Sequence, residues 1–171
     1  MEGLTAYGRR DGLGSLDSIG TREVRMAHIS TSVEIARSTE DVFAYITDIP
    51  RHPEWQEGLV SVSVQTDGGT RVGTRVLHRR KLGPQTVATT SEITAYEPPR
   101  LVSFRGIDGP IRGEGNQRVE PAGEGSRVLF EMELRGYGLG KLLLPMASKQ
   151  AARQVAASHK KLKGILEGAL N

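Results

Sequence analysis

The 171-residue sequence predicts an α+β fold. The architecture is an antiparallel curved sheet of about seven strands wrapped around a long C-terminal helix, with two short helices after the first strand. Three observations predict it. Apolar residues alternate at a period of two through most of Leu59 to Arg135, and Gly and Pro clusters cut that stretch into strand-length pieces. After it the period becomes helical and stays so to Leu170. Connections this short exclude parallel crossovers, which need about a dozen residues or more each.

The first 25 residues are rich in glycine and lack apolar periodicity, so residues 1–25 read as a flexible extension ahead of one domain spanning 26–171. An extended translation start accounts for them most simply. Ile29, Val33 and Ile35 fall on one side of a half-buried first strand. Ser38 or Thr39 then offers a helix cap with Glu40 and Asp41 in the first turn, where the helix dipole favours them. That helix carries Val42, Phe43, Tyr45 and Ile46 and ends before Pro50, because a residue preceding proline is pushed out of helical geometry. DIPRHPEW, residues 48–55, follows as a proline-punctuated connector.

Further strands are predicted at Leu59–Val64, Thr74–Leu82, Gln85–Tyr96, Arg100–Ile107, Ile111–Val119 and Ser126–Arg135. Ser148, Ala152, Val155, His159, Leu162, Leu166 and Ala169 form the apolar stripe of the terminal helix, and Pro145 sits in its first turn or kinks its start. Gly138 and Gly140 let the start of this helix swing as a lid.

Composition excludes several classes. With 37% hydrophobic and 25% charged residues the chain is ordinary globular protein. No apolar run approaches the ~18 residues of a membrane span and no apolar signal-peptide core is present, so the expected location is cytoplasmic. The absence of cysteine removes disulfides, thiolate chemistry and cysteine-held metals. A net charge of +3 with 5% aromatics argues against a nucleic-acid partner. The histidines are too dispersed for a metal, no HExxH spacing occurs, and Gly136 to Lys141 lacks the hydroxyl and strand context of a phosphate loop. No cofactor is implied. Monomer and homodimer are both left open.

Four stretches, STEDVFAYITDIPRHPEW, ITAYEPPRLVSFRG, RVLFEMEL and QAARQVAASHKKLKGILEG, occur in an order that resembles the helix-grip superfamily, also called SRPBCC. That superfamily includes START domains, birch-pollen-allergen-like proteins and bacterial polyketide cyclase/dehydrase and lipid-transport-like proteins. The resemblance covers Met26 to the end. It implies a hydrophobic cavity between sheet and terminal helix that holds lipids, polyketides, hormones or similar molecules.

Candidate site residues follow from alternation and from this resemblance. Phe104, Phe130, Met132 and Val155 are expected to line the cavity, with Trp55 and Tyr96 near its rim. In the resembling family the aromatic matching Trp55 anchors the cavity entrance, while His52 and Glu54 read as solvent-facing. His159 interrupts the apolar stripe. It either bonds a ligand oxygen or is satisfied by a sheet hydroxyl, since a buried imidazole without a partner carries a desolvation penalty. Arg105, Glu131, Glu133 and Arg135 read as an exposed cross-strand charge lattice. The strand from Ile111 to Val119 has no convincing apolar face. Either it is a charge-protected edge, or Arg112, Glu114 and Asn116 line a polar part of the cavity.

The leading expectation is a cofactor-independent binding or transport protein for a hydrophobic small molecule. A polyketide cyclase/dehydratase in the same cavity is the alternative, with His159 or Glu114 as acid/base. A protein-interaction module using the basic helix face is the third reading.

Overall fold

The computed structural model describes residues 26–168; the expected N-terminal extension lies outside them. The chain runs β1 (Met26–Ile35), α1 (Thr39–Thr47), a 3-10 turn (Ile49–Arg51), α2 (His52–Trp55), β2 (Leu59–Val64), β3 (Arg75–Leu82), β4 (Gln85–Glu97), β5 (Leu101–Gly106), β6 (Ile111–Ala122), β7 (Gly125–Gly136) and α3 (Gly140–Gly168). One seven-stranded antiparallel sheet results, in the order β1-β7-β6-β5-β4-β3-β2. The connector after α1 is thus itself a second short helical piece, because Pro50 and Pro53 occupy first-turn positions where the missing amide costs nothing. Ser38 caps α1 as expected, accepting the Asp41 amide at 3.1 Å.

Two of the alternatives that the sequence leaves open are excluded. Strand β6 is central rather than an edge, since β5 and β7 flank it. Of the two placements expected for Pro145, the first turn is excluded, because it is the sixth residue of α3, where its missing amide leaves one helical bond unmade. The Gly140 region is also pinned. An added Cβ at Gly140 would sit 1.9 Å from the Pro110 carbonyl oxygen, and the Tyr137 amide donates to that same oxygen at 2.7 Å. Glycine is needed there for close packing rather than for a hinge.

At 29 residues α3 is roughly 43 Å long. Leu162 (0% exposed) and Leu166 join Ile35, Val42, Phe43, Trp55, Val119 and Val128 in one core cluster. Near its start Leu144 packs with Ile29, Phe130 and Leu134 in another. Between these anchors the helix turns mostly small or polar side chains to the sheet, Ala147, Gln150, Ala151, Gln154 and Ser158, beside Val155 and His159. The inward stripe therefore runs through Ala147 and Ala151, one position before the predicted Ser148 and Ala152; the latter is exposed. Opposite, Gly106 and Gly113 line the same space, and the bare backbone of Gly113 makes room for Met132 and Leu134, since a Cβ there would meet Met132 Sδ at 2.9 Å. Neither layer fills the space under the middle of the helix.

Candidate ligand-binding site

That space is a cavity of about 320 Å³. It lies at the small end of the roughly 300–1,000 Å³ typical of small-molecule sites. Its apolar walls come from β5, β7 and α3, joined by Val76 and Leu82 of β3, Ile93 of β4 and Ile46 and Ile49. Phe104 stacks on Phe130 at 6.1 Å, and Met132 and Val155 complete that side. These four predicted residues, together with Trp55 and His159, all lie on the cavity wall. Trp55 is 2% exposed, so it forms wall and core rather than rim. Tyr96 is not on the wall; its ring packs on Phe43 at 5.7 Å within the core.

Alternation decides which residues of β6 point inward. Gly113 faces Leu134 and Gln117 faces Phe130, both inward residues of β7, and Gly113 and Gln117 line the cavity. Glu114 consequently points away. It is exposed on the outer face opposite Glu133 and Arg105, with Asn116 on the same outer side, so neither forms a polar lining. Arg112 does reach the wall, its guanidinium stacked on the Tyr137 ring at 4.4 Å. Arg105 pairs with Glu92 at 3.6 Å and Arg135 with Glu133 at 3.2 Å, two contacts of the expected outer lattice. Exposed pairs of this kind contribute at most about 1 kcal/mol each.

The polar residues that matter most come from α2, β3 and β4. On β3 the inward side reads Val76, His78, Arg80, Leu82, while His52 of α2 and Gln56 just after it join them. His52 is therefore partly buried, not solvent-facing. Its Nε2 donates to the Ile46 carbonyl at 2.9 Å, which leaves Nδ1 as a buried acceptor without a partner among the described residues. His78 Nε2 meets Ser91 Oγ at 2.9 Å, and its Nδ1 is likewise unpartnered. The Arg80 guanidinium donates to the Gln56 side-chain oxygen. Glu54, by contrast, is exposed and held low by the Tyr45 hydroxyl, which donates to it at 2.7 Å, and by Arg51.

Burial sets the charge state of this wall. Desolvation is the main cause that brings His52 down to about 4 and His78 to about 3; the Arg80 charge contributes in the same direction at both, and the Ile46 hydrogen bond opposes it at His52. His159 is 3% exposed. Its ring meets Phe130 edge-on at 6.0 Å, its Nδ1 has no partner, and desolvation takes it to about 4. All three imidazoles are neutral at pH 7. His78 and Arg80 escape a reading of the sequence because β3 divides its apolar residues between both faces. The available signal is Val76 and Leu82 bracketing them at even spacing.

Two contacts close the cavity beside β3. Gln150 of α3 accepts the Gly83 amide at 3.0 Å and donates to the Lys81 carbonyl at 2.9 Å. Ser158 accepts the Glu57 amide at 2.8 Å.

A sheet curved around a long C-terminal helix with a cavity between them is the setting in which one family model, polyketide cyclase / dehydrase and lipid transport, matches residues 26–167. The chain belongs to this family. Similar solved structures include the protein TTHA0849 of Thermus thermophilus, 21% identical with a TM-score of 0.73 over 85% of this chain and 100% of that one. The Zhui aromatase/cyclase of Streptomyces sp. R1128 is 14% identical with a TM-score of 0.72, over 86% of this chain and 97% of that one. A norcoclaurine synthase point mutant from Thalictrum flavum, in complex with a transition-state analogue, is 17% identical with a TM-score of 0.65, over 86% and 98%. At these identities the likeness is one of fold. No curated protein sequence matches the chain. Among the described residues no helix is long and apolar enough to cross a membrane, and no three metal-ligating side chains converge.

Proposed function

We propose that this protein binds and carries a hydrophobic small molecule, lipid-like or polyketide-like, in the cavity under α3, acting in the cytoplasm. The observation that carries the proposal is the construction of the cavity. The helix is anchored at both ends while the small side chains of Ala147 and Ala151 leave space under its middle. An empty apolar space of this size forfeits packing that larger side chains would supply at little cost, so its retention points to an occupant. Apolar burial at about 25 cal/mol per Å² supplies the affinity, and the few polar groups set orientation.

Cyclase or dehydratase chemistry in the same cavity is the second reading, favoured by the unpartnered ring nitrogens of His52, His78 and His159. A general acid or base works best with a pKa near the operating pH, and burial holds these three far below it in the ligand-free protein. Binding is accordingly the leading proposal. Native mass spectrometry of protein purified from its own host tests it. The expected spectrum shows a non-covalent adduct that disappears on denaturation. An unliganded mass, together with no saturable uptake of an apolar probe, contradicts the proposal.

A further inference from the structure

The guanidinium of Arg80 is partly buried on the cavity wall, and its one side-chain partner, Gln56, is neutral. Among the described residues no carboxylate lies within ion-pair distance of it: the acids that share the cavity wall, Glu57 and Asp108, make no such contact, and Asp108 instead accepts the Thr90 amide at 2.5 Å. Desolvation alone pulls its pKa down to about 10, with no compensating charge. A guanidinium drawn this far out of water with no counter-charge is unfavourable and is relieved by an anion. Two imidazoles close enough to feel its charge, His52 and His78, each carry an Nδ1 without a partner among the described residues. The guanidinium is a donor only. These side chains all belong to one stretch of wall, contributed by α2 and β3, whereas Phe104, Phe130 and Met132 belong to β5 and β7. From β3 to β7 is four strand steps. At about 4.8 Å each that is roughly 19 Å along the curved sheet.

We infer that the cavity ends in an anion site built on Arg80, and that the ligand is an amphipathic monocarboxylate whose head group sits there while its apolar part runs toward Phe104, Phe130 and Met132. The inference rests on the binding proposal above. The planar fork of arginine fits a carboxylate and forms two parallel charge-assisted hydrogen bonds to it. The charge at this end selects a monoanion, because the neighbouring imidazoles are neutral, Lys81 is exposed and Arg112 is stacked on Tyr137, which leaves one guanidinium to balance one negative charge. His52 Nδ1, fixed as an acceptor by the Ile46 bond, suits a hydroxyl near the acid group.

Isothermal titration at pH 7.5 with decanoate and with decan-1-ol tests the inference, because the two share a chain and differ in head charge. Wild-type protein is expected to prefer decanoate by at least about tenfold, and Arg80→Met to lose that preference while still binding decanol. Equal affinity of the wild type for both molecules overturns the anion site and leaves the apolar cavity standing. Failure of both molecules to bind, together with a non-binding apolar dye, removes the binding proposal itself. The wild-type comparison needs no variant. Arg80→Lys, which keeps the charge without the fork, is expected to retain part of the preference should Arg80→Met fail to fold.

Discussion

His159→Leu isolates the cost of holding an imidazole neutral inside the cavity wall. The residue is 3% exposed, packs edge-on against Phe130 and leaves Nδ1 unpartnered. Leucine has similar bulk and no polar atom, so at pH 8 the variant is expected to match the wild type or exceed it by up to about 1 kcal/mol. The pH dependence is the sharper reading. Histidine titrates at about 6.5 when unfolded, and here burial lowers it to about 4. Between those values the unfolded chain binds the extra proton, so stability is full above pH 6.5 and is lost as pH falls toward 4. At pH 5 the loss from this one group is about 2 kcal/mol. Urea unfolding followed by the fluorescence of Trp55, the single tryptophan, measures both proteins at pH 8 and pH 5. The stability gap is expected to widen by about 2 kcal/mol in favour of the variant at pH 5. A gap that does not change with pH would refute the claim that His159 is held neutral.

Further outcomes follow from the helix contacts. Gly140→Ala places a methyl group 1.9 Å from the Pro110 carbonyl oxygen, so the start of α3 must move off the β5–β6 turn. A loss of about 3 kcal/mol is expected by thermal or urea unfolding, and an unchanged melting temperature would show a freely swinging helix start. Gln150→Ala removes the two bonds tying α3 to the β3–β4 hairpin. A cost of about 1 kcal/mol is expected, with faster hydrogen exchange at the Gly83 amide and faster ligand dissociation.

Strand order and core are legible wherever one face is packed. Phe130, Met132 and Leu134 alternate with Glu131 and Glu133, and the structure turns the first set inward as that pattern requires. Legibility fails next to the cavity, for a physical reason. Strand β6 turns Ile111, Gly113 and Gln117 inward, the glycine yielding its place to Met132 and Leu134 of β7, and so mimics a polar edge although it is central. The same holds for α3, whose inward middle is mostly alanine, glutamine and serine. There the stripe is ambiguous by one residue, and the pattern favours Ala152 where the structure has Ala151. His78 and Arg80 are neighbours on one face of β3, but His52 is distant from both in the chain, and only the fold, which sets Gln56 at the end of α2 against Arg80, unites the three. Tyr96 is not assignable from spacing alone, since rim and core both accept an aromatic ring.

Energy transfer from Trp55 to bound 1-anilinonaphthalene-8-sulfonate tests the central claim, an apolar binding cavity under α3, most directly. Trp55 is the chain's single tryptophan and lies on the cavity wall, so dye in the cavity quenches it at short range. Saturable one-site transfer is predicted, and it should be lost in Ala151→Phe, where an aromatic ring occupies the space the helix leaves open. No saturable transfer, or transfer that survives Ala151→Phe in a folded variant, would contradict the account.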